Sequence, residues 1–121
     1  MLLRSIATFL LLLGAGLAQA ATILVWGDSL SAGYGLKAAE AWPSLLQTRL
    51  QQQGFPHRVV NASVSGETSA GGRSRLPAAL AEHKPDIVVL ALGANDGLRG
   101  LRPHLMTGNL NTMVADARSA G

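Results

Sequence analysis

Three short stretches of this 121-residue chain hold side chains that could do chemistry together: Gly27-Asp28-Ser29-Leu30-Ser31, Ser65-Gly66-Glu67 and Gly93-Ala94-Asn95-Asp96. A serine hydroxyl becomes a nucleophile once a base takes its proton. Attack on an acyl carbonyl gathers negative charge on oxygen, which preorganised N–H donors stabilise. Gly66 has no Cβ to keep a ligand from its backbone N–H. Asn95 carries a side-chain NH₂, and the Ser29 N–H is a third possible donor. Together, Ser29, Gly66 and Asn95 read as an acyl-transfer site without its base. Singly, each stretch has a plainer reading, because Gly-Asp-Ser is ordinary turn composition and Asp or Ser often caps a helix. Asp28 and Asp96 read as residues that fix their loops by hydrogen bonds.

Elements that could bring the three stretches together are visible in the hydrophobic pattern. Apolar runs predict strands over Thr22–Trp26, His57–Val64 and Asp86–Leu92, the last continuously apolar as a strand buried on both faces should be. Helical spacing predicts helices over about 41–53, 74–83 and 104–117. The first turns Trp42, Leu45, Leu46 and Leu50 inward, and the second has Pro77 in its opening turn. In the third, Met106, Leu110, Met113, Val114 and Ala117 form one buried stripe. Residues 65–72, rich in glycine and serine, read as a loop. Strands alternating with helices across short connections imply an α/β fold with a parallel sheet. In such sheets the functional crevice lies beyond the carboxyl ends of the strands. All three stretches follow the carboxyl end of a predicted strand.

Length and composition bound the reading. The chain suffices for one small domain, and 48% hydrophobic with 14% charged residues fits a core-forming protein. Met1–Ala20 has a short basic start, an apolar middle with Gly14 and Gly16, and an Ala18-Gln19-Ala20 end. That is the layout of a cleaved secretory signal peptide rather than a stable membrane anchor. The expected mature domain is 21–121, periplasmic or secreted. With no cysteine, it depends on packing alone. The net charge of +3 is spread over scattered Lys and Arg residues with few aromatics, so nucleic acid is not an expected partner.

The three stretches also resemble the GDSL, or SGNH, hydrolases. Gly27-Asp28-Ser29-Leu30-Ser31 followed by Gly33 is similar to their first block. Asn61-Ala62-Ser63-Val64-Ser65-Gly66-Glu67-Thr68 is similar to their glycine block, and Gly93-Ala94-Asn95-Asp96 to their Gly-x-Asn-Asp block. The likeness covers the whole of 21–121 and is strongest to bacterial periplasmic thioesterases, arylesterases and lysophospholipases. It implies a flavodoxin-like three-layer sandwich, here with about three strands and three helices. It also implies Ser29 as nucleophile and an oxyanion hole from the Ser29 N–H, the Gly66 N–H and the Asn95 amide. Leu98 and Leu101 would lie beside the acyl group. The expected substrate is a small-molecule acyl ester or thioester, with no cofactor or metal, and the complete protein is expected to be a monomer.

One block of the pattern is absent. The family's Asp-x-x-His would supply the base and the residue that orients it, yet no acidic residue here has histidine three positions on. His57, His83 and His104 all fall at element boundaries. His104 is the one conceivable substitute. The expectation is therefore the N-terminal part of a longer enzyme, nearly inactive alone. The competing reading is a non-catalytic acyl- or anion-binding module on the same fold. Neither a Gly-x-x-x-x-Gly-Lys-Ser/Thr nor a Gly-x-Gly-x-x-Gly pattern favours a nucleotide.

Overall fold

The apolar run ahead of Ser29 becomes the middle strand of the sheet. The computed structural model describes residues 19–121, so the expected signal peptide lies almost wholly outside the described residues. Strand β1 (Thr22–Gly27) pairs in parallel with β2 (Arg58–Asn61) on one side and β3 (Ile87–Ala91) on the other, giving the order β2-β1-β3. Ile23 faces Val59 and Ile87 across the two ladders, and Val25 faces Asn61 and Val89. From Ile23 to Gly27 every residue of β1 is buried. Both faces of a middle strand are covered, so both sets of alternating side chains must be apolar.

Helices cover the two faces. On one lie α3 (Ser69–His83) and α5 (Pro103–Ser119), which close a core of Leu24, Trp26, Leu76, Ala79, Leu80 and Met113. On the other lie α1 (Ser29–Ala32), a 3₁₀ turn (Ala38–Glu40) and α2 (Trp42–Gln52), whose Pro43 is fully buried. The side chain of Gln47 on α2 also ties down β2. Its Oε1 accepts from the Val59 N–H at 2.7 Å and its Nε2 donates to the His57 carbonyl at 3.1 Å. A fifth helix, α4 (Ala94–Leu98), follows β3. The result is the expected three-layer α/β sandwich with a parallel sheet.

The structure corrects several boundaries. The ladder of β2 ends at Asn61 rather than Val64, although Ala62 N–H and Val64 N–H still donate to the Val25 and Gly27 carbonyls at 3.0 Å. Helix α3 begins at Ser69, five residues earlier than its spacing suggests, so Pro77 lies inside it. The glycines that read as loop are there to let the helix approach the sheet. A Cβ on Gly72 would collide with Leu92 Cδ1 and stand 3.2 Å from Trp26 Nε1, and that indole donates to the Gly72 carbonyl at 3.1 Å. The short helices α1 and α4 stand where polar turns were expected. Strand β3 is not buried on both faces: it forms the second edge of the sheet, and Ile87 is 50% exposed. A cleft of about 320 Å³, lined by Leu76, Val88, Leu90, Met113 and Ala117 among others, opens beside it. On α2, Leu45 and Trp42 turn toward solvent, and the inward positions are Pro43, Leu46, Gln47 and Leu50. On α5, Met113 is buried, whereas Val114 is 39% exposed.

Candidate active site

Ser29 is the first residue of α1, directly after β1. The Asp28 side chain caps this helix, its Oδ1 accepting from the Leu30 N–H at 3.0 Å. Asp28 therefore fixes the turn. Two further bonds anchor the four-residue helix from outside. Trp42 Nε1 donates to Ser31 Oγ at 3.1 Å, and Asn61 Nδ2 donates to the Ser31 carbonyl at 2.9 Å. So short a helix holds its place only through such tertiary bonds. Its close seat on the strand depends on Gly27, where a Cβ would lie 2.6 Å from Ser31 Oγ and 3.2 Å from the Ala91 carbonyl oxygen. Gly27→Ala must push α1 outward. The expected loss is about 1–3 kcal/mol of stability, measured by urea unfolding, with a larger fractional loss of any Ser29-dependent turnover.

Gly66 sits in the turn that leaves β2. The Glu67 N–H donates to the Val64 carbonyl at 3.1 Å, and Gly66 has φ +80°. Those are the marks of a type II turn, whose third position takes a positive φ and so favours glycine. Asn95 lies in the first turn of α4, after β3. Its Nδ2 donates to the Glu67 carbonyl at 2.9 Å, so the structure joins the second and third stretches directly. Ser29 lies beyond the end of the strand between them. Among the described residues, neither the Ser29 N–H nor the Gly66 N–H donates to a protein acceptor. Asn95 spends one amide hydrogen on Glu67, which leaves the second free.

Apart from Asp96, which read as a residue that fixes its loop, the side chains that hold these loops were not singled out in the sequence. Arg99 Nη2 donates to the Gly66 carbonyl at 3.0 Å. Arg75 Nε donates to Glu67 Oε2 at 2.6 Å, and its guanidinium lies 4.1 Å from the centroid of the Trp26 ring. A Cβ on Gly71 would collide with the Glu67 carboxylate, so that glycine makes room for the pair. Buried Asp96 accepts from both the N–H and the hydroxyl of Ser69. None of these hydrogen bonds is legible in sequence, because the partners stand 8 to 33 residues apart.

Of the remaining candidates, Leu98 ends the helix that carries Asn95, and the histidines fall outside this cluster. Leu98 is 84% and Leu101 44% exposed. His57 Nδ1 accepts from the Ala21 N–H at 2.9 Å at the opposite end of β1, and His83 closes α3. His104 is exposed in the first turn of α5, and among the described residues no hydrogen bond links it to Ser29.

The arrangement has close counterparts. Residues 25–121 match the GDSL-like lipase/acylhydrolase family. Over 104 residues the chain is 56% identical to esterase TesA of Pseudomonas aeruginosa strain PAO1, an overlap that takes in 86% of this chain and 52% of that protein. It is 47% identical over 112 residues to thioesterase 1/protease 1/lysophospholipase L1 of Escherichia coli K12, with 93% of this chain and 52% of that one covered. The crystal structure of the psychrotrophic esterase EstA from a Pseudoalteromonas species, inhibited by monoethylphosphonate, superposes with a TM-score of 0.80 at 45% identity. That likeness covers 83% of this chain and 55% of the EstA chain. The chain thus spans about half the length of the curated relatives it matches.

Proposed function

Because the chain belongs to the GDSL-like lipase/acylhydrolase family, we propose that it carries the nucleophile and oxyanion hole of a serine hydrolase acting on carboxylic esters or thioesters of acyl chains. The observation that carries this reading is a pair of unpaired backbone N–H groups, at Ser29 and Gly66, on the same end of the sheet as the Asn95 amide. Ser29 is half-buried, and a donor so placed normally finds a protein partner, whereas the N–H of exposed Gly66 is open to solvent and to a ligand alike. Donors left open around a serine suit an oxygen that gathers charge only during reaction.

In this reading Ser29 Oγ attacks the acyl carbonyl carbon while a base takes its proton. The carbonyl π electrons move onto oxygen, which the Ser29 N–H, the Gly66 N–H and the Asn95 amide bind. Collapse of the tetrahedral intermediate breaks the bond to the alkoxide or thiolate, which leaves with the proton returned by the base. Water then releases the acid from Ser29 by the same steps. The base is a histidine oriented by an aspartate, in the Asp-x-x-His pattern that residues 1–121 lack. It belongs to a part of the protein outside these residues. Leu98 and Leu101 lie along the acyl chain, since both are exposed, one at the end of the helix that carries Asn95 and one just beyond it. The charge and apolar layout of residues 1–20 supports export to the periplasm or beyond, and the complete protein acts as a monomer on small-molecule substrates.

A fluorophosphonate probe tests the reading on protein made from the complete coding sequence. Expected is a single phosphonylated residue, Ser29, with parallel loss of p-nitrophenyl ester and acyl-thioester hydrolysis. Absence of labelling together with tight fatty-acid binding would assign the fold to a non-catalytic acyl carrier instead.

A further inference from the structure

The two loop-borne donors, Gly66 and Asn95, come from different strands, and a bond network joins the segments that carry them. Asp96, next to Asn95 on α4, is only 3% exposed. Its Oδ1 accepts from the Ser69 N–H at 2.8 Å and its Oδ2 from the Ser69 hydroxyl at 2.6 Å. Ser69 is fully buried and opens α3, three residues after Gly66. Asn109 Nδ2 on α5 donates to Ser69 Oγ at 3.1 Å, and Arg73 Nη1 donates to Asn109 Oδ1 at 3.2 Å. A carboxylate at the start of a 15-residue helix is favoured by the unpaired N–H groups there. Here it does more than cap. It makes two short bonds to one residue, which fixes direction as well as distance.

We infer that Asp96, acting through Ser69, is the positioning residue that sets the separation between the Gly66 N–H and the Asn95 amide, an inference that rests on the acyl-hydrolase reading above. Asn95 is bonded to Glu67 by a single part-buried hydrogen bond, and Arg99, at the C-cap of α4, reaches the Gly66 carbonyl through an exposed one. The Asp96–Ser69 pair is the buried point of attachment, and it is made twice. Neither residue touches the substrate. The polar groups facing the carboxylate are those of Ser69, with Asn109 behind it, and the chain of bonds reaches the surface only at Arg73. Donors to a developing oxyanion must be in place before the charge appears, and a displacement of about 1 Å can cost up to two orders of magnitude in rate.

The test is a double-mutant cycle in protein from the complete coding sequence, followed by ester hydrolysis and by the rate of fluorophosphonate inactivation. Ser69→Ala leaves Asp96 Oδ2 and Asn109 Nδ2 without their partner. It is expected to lower kcat and the inactivation rate together by roughly 10-fold or more, with KM nearly unchanged. In an Asn95→Ala background the same substitution is expected to cost less than about two-fold, because the donor it positions is already gone. If Ser69→Ala does not fold, Asp96→Asn, which keeps the shape and one acceptor, carries the same cycle. An undiminished loss in the Asn95→Ala background, or a loss confined to KM, overturns the positioning role while leaving the hydrolase reading intact. Absence of Ser29-dependent turnover in the unsubstituted protein overturns both.

Discussion

Replacing Ser29 by alanine is expected to remove acyl-ester hydrolysis by the complete protein, by about 10⁴-fold or more in kcat. The size follows from the chemistry. Without Oγ no acyl-enzyme forms, and only the oxyanion donors remain to assist direct attack by water. The fold should be unaffected. Among the described residues Ser29 Oγ makes no hydrogen bond, and α1 is capped by Asp28 and anchored through Ser31. A stability change within about 0.5 kcal/mol is therefore expected from thermal or urea unfolding. Two hydroxyls near the site are already engaged. Ser31 is 2% exposed and accepts from Trp42, and Ser69 is fully buried against Asp96. Hydrolysis that survived Ser29→Ala at more than a few per cent, on purified and folded protein, would move the nucleophile elsewhere and sink the assignment.

What the sequence made legible was the frame that delivers Ser29, because that frame is written in local pattern. A five-residue apolar run ending at Gly27 is a buried strand with a sharp exit, and the structure has it as the middle strand. Helices α2 and α5 lie within about two residues of their expected bounds, since their caps and prolines act locally. What stayed hidden depended on neighbours distant in sequence. Gly71 and Gly72 look like loop glycines but open α3, because Glu67, Trp26 and Leu92 leave no room for a Cβ there. The apolar run of β3 suggested cover on both faces, yet in this chain it is a sheet edge. Helices of four and five residues are too short to show a period, so α1 and α4 looked like turns. The three site positions could be placed at strand ends from topology alone. The bonds among Asn95, Glu67, Asp96, Ser69, Arg99 and Gly66 could not.

Asn95→Ala is expected to lower kcat by about 10²–10³-fold, roughly 2.7–4 kcal/mol of transition-state stabilisation, with little change in KM. The Asn95 amide has two hydrogens. One is held by the Glu67 carbonyl at 2.9 Å, which leaves the other available to a ligand. A ground-state carbonyl gains little from such a donor, whereas an oxyanion gains much, so the loss belongs in kcat. Alanine also removes the tie to Glu67, leaving Arg99 on Gly66 and Asp96 on Ser69 to hold the loop, which keeps it near its place. Asn95→Asp removes both contributions as alanine does, and adds a charge. A carboxylate has the same shape but cannot donate when ionised, and it would set negative charge against both the Glu67 carbonyl and the forming oxyanion. Its kcat is therefore expected to fall at least as far as that of Asn95→Ala. Steady-state kinetics on both variants, alongside an unfolding curve for each, decide the matter. Substantial turnover by Asn95→Asp at neutral pH would mean that neither amide hydrogen is needed and that the oxyanion is bound by the backbone N–H groups alone.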